Sequence, residues 1–308
     1  MMMVLQQMAI FFLLMLLGIA ARKQGMLNEK NQQQISSLVV NIAYPAIILS
    51  GVSGSGARME GEKLLLSFGV ALAVLCLAVL LGKVTPYILG YEKKYHGIVN
   101  VMVVFTNIGF MGMPMIHGIY GADALICMTV FLIPFNILFY SYAIQTMQPD
   151  GADKKKFRLG DLCNVGMGAC VLSVVIYFSG VRLPYVLNTA IQMVGGLTAP
   201  LAMMLIGASL PDIPWKSITS NGRLMAFVLL KMLVFPTLAL LALGQFVHEQ
   251  VLLAVALCAL ATPSGNMLAM LAAIYNKDYF LLATEGISLT TAVSVVTMPL
   301  VAWLSGIG

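Results

Sequence analysis

The sequence contains few charged residues: Asp, Glu, Lys and Arg together make up 9% of its 308 residues. Hydrophobic residues make up 60%, which is more apolar surface than a soluble domain of this length can bury. The 17 basic residues are not interleaved with aromatic residues in one cluster, so no nucleic-acid interface is predicted. Together these features predict a membrane protein whose surface contacts lipid.

Cysteine and histidine are also scarce, with five and three residues scattered singly along the chain. There is no CxxC pair and no histidine at metal-ligand spacing, so no disulfide framework, metal site or cofactor is predicted. The sequence also lacks HExxH, GxGD and GxSxG motifs, and the acidic residues within its apolar runs are not paired. An intramembrane enzyme is therefore not expected.

Ten long apolar runs are present, and each is long enough for one helix across a hydrocarbon core of about 30 Å. They lie near residues 4–21, 33–51, 64–82, 97–117, 122–145, 162–180, 186–209, 224–246, 250–275 and 279–305. No basic residue precedes the first run and no cleavage site follows it, so we expect a retained span and not a signal peptide. The predicted fold class is an all-α membrane protein with ten transmembrane helices.

Basic residues concentrate in the loops that follow odd-numbered spans. These loops contain Arg22, Lys23, Lys30, Lys83, Lys93, Lys94, Lys154, Lys155, Lys156, Arg158, Lys216, Arg223 and Lys277. The loops after even-numbered spans contain only Arg58, Lys63 and Arg182, and Lys231 lies within span 8. Because basic loops remain in the cytoplasm, the pattern predicts a multi-pass protein of the cytoplasmic (inner) membrane with both termini outside.

The two halves of the chain share residues at one constant offset. Gly25 and Gly180, Pro45 and Pro200, Tyr120 and Tyr275, and Asp123 and Asp278 are each 155 residues apart. A gapless offset of half the chain predicts an internal repeat, with halves 1–153 and 154–308. Each half would contain five spans. Since five is odd, the halves would enter the membrane from opposite sides, as inverted repeats do in many secondary transporters.

Spans 4 and 9 contain helix-breaking residues well inside their apolar runs. These are Thr106, Asn107, Gly109, Gly112 and Pro114 in span 4, and Thr262, Pro263, Ser264, Gly265 and Asn266 in span 9. Two interrupted helices that meet at the midplane would present unpaired N–H groups and partial positive charge to an anion. The simpler alternative is that proline and glycine only kink these helices, but their corresponding positions in both halves favour interruption.

Matched prolines also occur in spans 2 and 7, each close to a polar residue. Asn41 precedes Pro45 by four residues, and Thr198 precedes Pro200 by two. The two polar side chains could face the same cavity as the breaks, or they could bond to neighbouring helices. The sequence leaves both interpretations open.

Two ionisable residues, Lys231 and Glu285, lie about two turns inside spans 8 and 10. Such residues are costly at membrane depth unless they are paired, hydrated or neutral. Glu285 could bind a proton or sodium ion, with Lys231 as its partner or as counter-ion to a substrate. Alternatively, Lys231 extends toward an interface and Glu285 is protonated and faces inward.

Residues 41–45, 107–114 and 261–266 resemble, in this order, segments of the auxin efflux carrier family. That family includes plant PIN-type auxin exporters and bacterial permeases associated with malate and other organic acids. The resemblance implies a ten-helix fold like that of the bile acid/sodium symporters, with helices 1, 2, 6 and 7 as a scaffold and helices 3–5 and 8–10 as a transport domain. It further implies that broken helices 4 and 9 cross at the substrate site, that the scaffold forms a homodimer, and that transport is elevator-like.

Two departures from the plant members restrict what the resemblance implies about substrate. Plant members often have proline where Thr106 stands, and they have a long cytoplasmic loop where this chain has a short one after span 5. The short form resembles bacterial members, so auxin is not the expected substrate.

The sequence therefore predicts a secondary transporter for a small organic anion such as a dicarboxylate. The predicted substrate-binding residues are Asn41, Asn107, Gly109, Thr198, Pro263, Ser264, Gly265 and Asn266, and the predicted helix breaks are at Pro45, Thr106, Gly112, Pro114, Pro200 and Pro263. The alternative is a proton- or sodium-coupled symporter or antiporter with Glu285 as the ion site. A channel is also compatible with the sequence.

Overall fold

A computed structural model describes residues 2–53, 61–148, 160, 163–212 and 221–307. Within these ranges the chain is helical, and its only β-type pairing is one isolated bridge. Seven described helical segments are long and apolar enough to cross a membrane: Met3–Lys23, Lys30–Val52, Gly61–Ile88, Ala122–Met147, Tyr185–Ser209, Gly222–Leu243 and Lys277–Leu304. The described residues are thus all-helical, with helices of the length and composition that membrane spans need. The predicted boundary between halves and the basic run at 154–158 lie outside the described residues.

We number the described α-helices in chain order. They are α1 (Met2–Lys23), α2 (Glu29–Leu38), α3 (Tyr44–Ser53), α4 (Gly61–Ile88), α5 (His96–Val104), α6 (Met113–Tyr120), α7 (Leu125–Leu138), α8 (Ile144–Met147), α9 (Val165–Ser179), α10 (Tyr185–Gly196), α11 (Thr198–Ser209), α12 (Gly222–Leu229), α13 (Phe235–Leu243), α14 (Gln250–Ala261), α15 (Met267–Tyr275) and α16 (Phe280–Leu304). π-Helical turns at Val39–Ala43, Phe139–Ala143 and Leu230–Val234 join α2 to α3, α7 to α8 and α12 to α13, and another at Ile108–Gly112 precedes α6.

The predicted spans 4, 6 and 9 correspond to shorter helices. Span 4 is divided into α5 and α6, span 9 is divided into α14 and α15, and span 6 is the 15-residue helix α9. A helix of 9 or 12 residues is too short to cross the hydrocarbon core by itself. Each of the two interrupted spans therefore has a helix end inside the protein.

Residues related by the 155-residue offset occupy corresponding local positions. Gly25 follows the end of α1 with φ of 74°, and Gly180 follows the end of α9 with φ of 68°. Both angles favour glycine, because other residues are strained in this left-handed region. Asp123 and Asp278 each occupy the middle of a 3₁₀ turn before a long helix. Tyr120 and Tyr275 end α6 and α15, and Pro45 and Pro200 lie in the first turns of α3 and α11.

Three of the predicted helix breaks are wrong. The helix from α2 to α3 continues through Pro45, because the π-helical turn before it shifts the hydrogen bonds and the Tyr44 N–H reaches the Val39 carbonyl. Gly112 lies in a π-helical turn, and Pro114 lies in the first turn of α6, where a missing N–H costs little. Span 4 is interrupted upstream of these two residues, at residues 105–107, which include the predicted break at Thr106. Pro200 follows an interruption at Leu197.

Helices α1 and α11 pack at two glycines. A Cβ atom on Gly18 would lie 2.1 Å from the Met204 carbonyl oxygen, and one on Gly207 would lie 2.0 Å from that of Met15. The two backbones therefore approach more closely than any side chain would allow, as is common between membrane helices. α3 packs against α9 and α10, while α4 packs against α5 and α7. In the interrupted spans, α5 and α14 are buried along most of their length.

Candidate functional site

The two interrupted spans meet at their breaks. Thr106 and Ser264 form an antiparallel bridge. The Asn107 N–H donates to the Pro263 carbonyl at 2.7 Å, and the Gly265 N–H donates to the Phe105 carbonyl at 2.9 Å. Residues 105–107 and 263–265 thus form a short extended pair, which we call the crossing. Their polar backbone groups are satisfied by each other, as buried non-helical backbone requires.

Each side of the crossing also caps the helix on the other side. The Thr106 hydroxyl donates to the Ala259 carbonyl at 3.0 Å, and the Ser264 hydroxyl donates to the Met102 carbonyl at 2.8 Å. Both acceptors lie in the last turn of a helix, where carbonyls lack intrahelical partners. The Ala259 carbonyl would otherwise lack a helical hydrogen bond, because Pro263, four residues later, has no N–H to donate.

Most of the predicted anion-binding donors are already bonded within the protein. The Ser264 N–H donates to the Thr290 hydroxyl at 3.2 Å, and Asn107 and Gly265 use their N–H groups in the crossing. Pro263, Ser264 and Gly265 are all buried. Asn266, the next residue, is exposed and directly precedes α15. The structure therefore leaves Asn266 and the start of α15 accessible.

Asn266 lines a cavity of about 410 Å³ beside the crossing. This volume lies within the usual range of small-molecule sites. The polar walls come from the first turns of α2, the end of α11 and the start of α15, and the apolar walls come from Phe110 and α11. The lining residues are Gln32, Gln33, Ser36, Phe110, Ala202, Leu205, Ile206, Ser209 and Asn266. Such a mixture suits a small molecule with both polar and apolar parts.

Asn107 and Thr198 each have an unsatisfied polar atom. The Asn107 side chain is 6% exposed, and its Nδ2 atom has no hydrogen-bond partner among the described residues. The Thr198 hydroxyl is fully buried and also lacks a partner in the described chain. An unsatisfied buried donor costs about 1–3 kcal/mol, which a suitable ligand atom or water would recover.

Gly109 lies against the aromatic ring of Tyr44 from α3. A Cβ atom on Gly109 would lie 3.1 Å from the Tyr44 hydroxyl, and the neighbouring Phe110 ring packs edge-on against Tyr44 at 6.2 Å. Gly109 is thus a packing surface and contributes no side chain to the site. Asn41 is exposed and its amide bonds to Ser37 in its own helix, so the structure does not bring it to the crossing.

Lys231 lies behind the crossing and does not line the cavity. Its side chain is 1% exposed, and its ammonium donates to the backbone carbonyl of Thr262, the residue that follows α14. The Thr262 hydroxyl in turn donates to the Cys258 carbonyl at 2.6 Å. Lys231 is therefore positioned against the carbonyl end of α14.

Glu285 lines a separate cavity of about 260 Å³, together with Arg223 and Tyr91. Glu285 is 9% exposed and lies on α16. Tyr91 lies in the loop after α4, and burial raises the pKa of its hydroxyl to about 12, so this group stays protonated at neutral pH. A larger cavity of about 620 Å³ adjoins the same loop, but no residue of the crossing lines it.

Sequence reasoning missed four polar residues of the cavity wall: Gln32, Gln33, Ser36 and Ser209. The signal was present, because the first turns of span 2 are too polar for a helix surrounded by lipid. A polar turn inside a predicted span is typical of a water-filled cavity as well as of a misplaced boundary. Hydropathy alone does not separate these two possibilities.

Comparison with known proteins identifies the type of molecule. The family model described as membrane transport protein matches residues 3–161 and 154–302 of the chain. An uncharacterized transporter from Methanocaldococcus jannaschii is 27% identical over 313 residues, with 96% of each chain covered. Another from Methanothermobacter thermautotrophicus is 22% identical over 294 residues, with 93% of each chain covered. The similarity thus extends over almost the full length of both relatives.

Proposed function

The chain belongs to the auxin efflux carrier family of membrane transport proteins, and on this basis we propose that it is a secondary carrier for a small organic anion such as a dicarboxylate. The observation that carries the proposal is the cavity of about 410 Å³ at the crossing of two interrupted helices. A carrier site in membrane proteins is commonly built from such interrupted helices near the bilayer midplane.

The proposed architecture has ten transmembrane helices arranged as two inverted five-helix repeats. The corresponding local positions of the 155-related residues, such as Asp123 and Asp278, support the repeat. The concentration of basic residues in the odd-numbered loops supports a cytoplasmic-membrane orientation with both termini outside. In this orientation Gln32 and Ser209 lie near the cytoplasm, so the cavity is open inward.

The proposed carboxylate position is at the start of α15, beside Asn266. The first N–H groups of a helix have no intrahelical acceptors and carry partial positive charge, which favours an anion. The Asn266 side chain would donate to one carboxylate oxygen, and the unsatisfied Nδ2 of Asn107 is the second candidate donor. Polar residues of α2, such as Gln33, would contact a second polar group of the substrate.

The proposed transport movement is elevator-like. The close contact of α1 with α11 at Gly18 and Gly207 supports a rigid scaffold, together with α2, α3, α9 and α10. The crossing would move past this scaffold with the substrate, and the Gly109 surface against Tyr44 would let the two parts slide. A homodimer through the scaffold helices is part of the proposal, supported by the exposed apolar side chains of α9 and α10.

The test begins with a thermal-shift screen of purified protein against dicarboxylates, amino acids and indole acids, followed by uptake of the stabilising compound into proteoliposomes. Loss of one hydrogen bond to a charged group costs about 1.5–3 kcal/mol, so Asn266→Ala and Asn107→Ala should each weaken apparent affinity about 10- to 100-fold. Asn188→Ala, which removes a surface partner of Gln192, is the control. Unchanged uptake in both test variants would refute the site.

A second candidate function, proton coupling, rests on Glu285. Its carboxyl is nearly buried yet lines a cavity that would open to the cytoplasm. Arg223 lines the same cavity, and its fixed positive charge disfavours a sodium ion there. A proton is therefore the better candidate for the coupling ion at Glu285.

A further inference from the structure

The Lys231 ammonium occupies an unusual position for a lysine. It lies in the π-helical turn Leu230–Val234 and donates to the carbonyl of Thr262, at the C-terminal end of α14. Its amino group also lies 3.6 Å from the sulfur of Met232, its other hydrogen-bond contact among the described residues. With 1% exposure, the side chain does not extend toward an interface. The amino end of the lysine therefore lies against a helix terminus inside the protein.

Among the described residues, no carboxylate pairs with this lysine. Lys231 forms no ion pair within the described part of the chain, where lysine pairs join Lys63 to Glu249 and Lys94 to Glu92. An isolated charge is costly in an apolar interior unless oriented dipoles compensate it. The C-terminal end of a helix carries partial negative charge and supplies such dipoles. The lysine and the α14 terminus therefore stabilise each other.

Carbonyl groups at the C-terminal ends of broken helices are where many secondary transporters bind Na⁺. Resting on the proposed carrier function, we infer that Lys231 is a tethered replacement for such a cation. Its ammonium holds the carbonyl end of the crossing, so the protein needs no sodium ion at this position either to keep the crossing folded or to transport. In the proposed carrier site the substrate anion lies at the start of α15, beside Asn266, which lines the cavity. Lys231 is a positioning residue that does not touch substrate.

The test is cation rescue of the purified protein in detergent, read as the melting temperature. Lys231→Ala removes the ammonium and leaves space for a small cation, whereas Lys231→Met removes the charge but fills the space. Both variants should melt below wild type in choline chloride. Replacing choline with Na⁺ or propylammonium should raise the melting temperature of Lys231→Ala by about 3 °C or more, and leave Lys231→Met unchanged.

Equal responses of the two variants to these cations would overturn the inference, as would a Lys231→Met protein as stable as wild type. If Lys231→Ala cannot be purified, the wild-type protein alone tests the inference. Its melting temperature should be the same in Na⁺ as in choline. A sodium-dependent rise in the wild type would contradict the inference. The melting assay needs no substrate, so failure to find transport would refute the carrier proposal without affecting this result.

Discussion

Thr106 and Ser264 lie 158 positions apart in the sequence, and each donates its hydroxyl to a carbonyl of the helix that precedes the other. The two residues are also joined by the antiparallel bridge of the crossing. The two reciprocal bonds therefore satisfy one carbonyl at the end of each interrupted helix. The hydroxyl groups of two short side chains hold the crossing together. Substitutions that remove these hydroxyls therefore test its contribution to stability directly.

Removing either hydroxyl should destabilise the protein. Thr106→Val and Ser264→Ala each leave a buried carbonyl without its donor, and each should lower the unfolding free energy by about 1–2 kcal/mol. Because both residues hold the same crossing, the double variant should lose less than the sum of the two single losses. Melting temperatures in detergent provide the measurement. Thr284→Val, which removes an exposed hydroxyl bonded to Phe280, is the control and should be neutral.

Gly207→Ala should disrupt the contact of α1 with α11. The added methyl group would lie 2.0 Å from the Met15 carbonyl oxygen, so the helices must separate, at a cost of about 1–3 kcal/mol. Gly168→Ala on α9 is a matched control, because a Cβ atom there meets nothing within 4 Å. Comparison of the two melting temperatures tests the prediction. Equal melting temperatures of the two variants would contradict the close contact between α1 and α11 at Gly207.

Glu285→Gln should abolish coupling to protons without abolishing transport. The neutral amide has the shape of a protonated carboxyl but cannot release a proton, so stimulation of uptake by a pH gradient should be lost. Uptake at equal pH on both sides of the membrane should remain. Glu62→Gln, at the exposed start of α4, is the matched control. Retained stimulation in Glu285→Gln would exclude Glu285 as the proton site.

The sequence predicted the interruption of spans 4 and 9, because Pro263 and the glycines around Asn107 leave a local signal. For span 4 it predicted breaks at Thr106, Gly112 and Pro114, and the helix is interrupted only around the first of these, at residues 105–107. The structure shows why Pro114 is not a break: a π-helical turn places Pro114 in a first helical turn, where its missing N–H costs little. A proline therefore does not locate the helix break reliably when the helix can form a π-helical turn just before it.

The pairing of Thr106 with Ser264, and of Lys231 with the Thr262 carbonyl, could not be predicted from sequence. Both contacts depend on which helices become neighbours in space, and a single sequence contains no record of this. The polar wall of the cavity is different, because Gln32 and Gln33 stand out within an otherwise apolar run. Hydropathy does not identify these residues as a cavity wall, because it averages a polar face with its apolar neighbours.

The central claim, that substrate binds in the cavity between α2, α11 and the crossing, is tested most directly by protection of introduced cysteines. In a background where the exposed Cys76 and Cys163 are replaced by serine, Ser36→Cys and Ser209→Cys place thiols in the cavity wall. Ser179→Cys, at the exposed end of α9, is the control on the opposite side.

We predict that a membrane-impermeant maleimide modifies the thiols at 36 and 209 only from the cytoplasmic side, and the thiol at 179 only from outside. The compound that the wild type transports should slow modification at 36 and 209 at least about tenfold at saturating concentration, which corresponds to about 90% occupancy, and leave the rate at 179 unchanged. Modification at 36 and 209 that is unaffected by a transported compound would contradict the account.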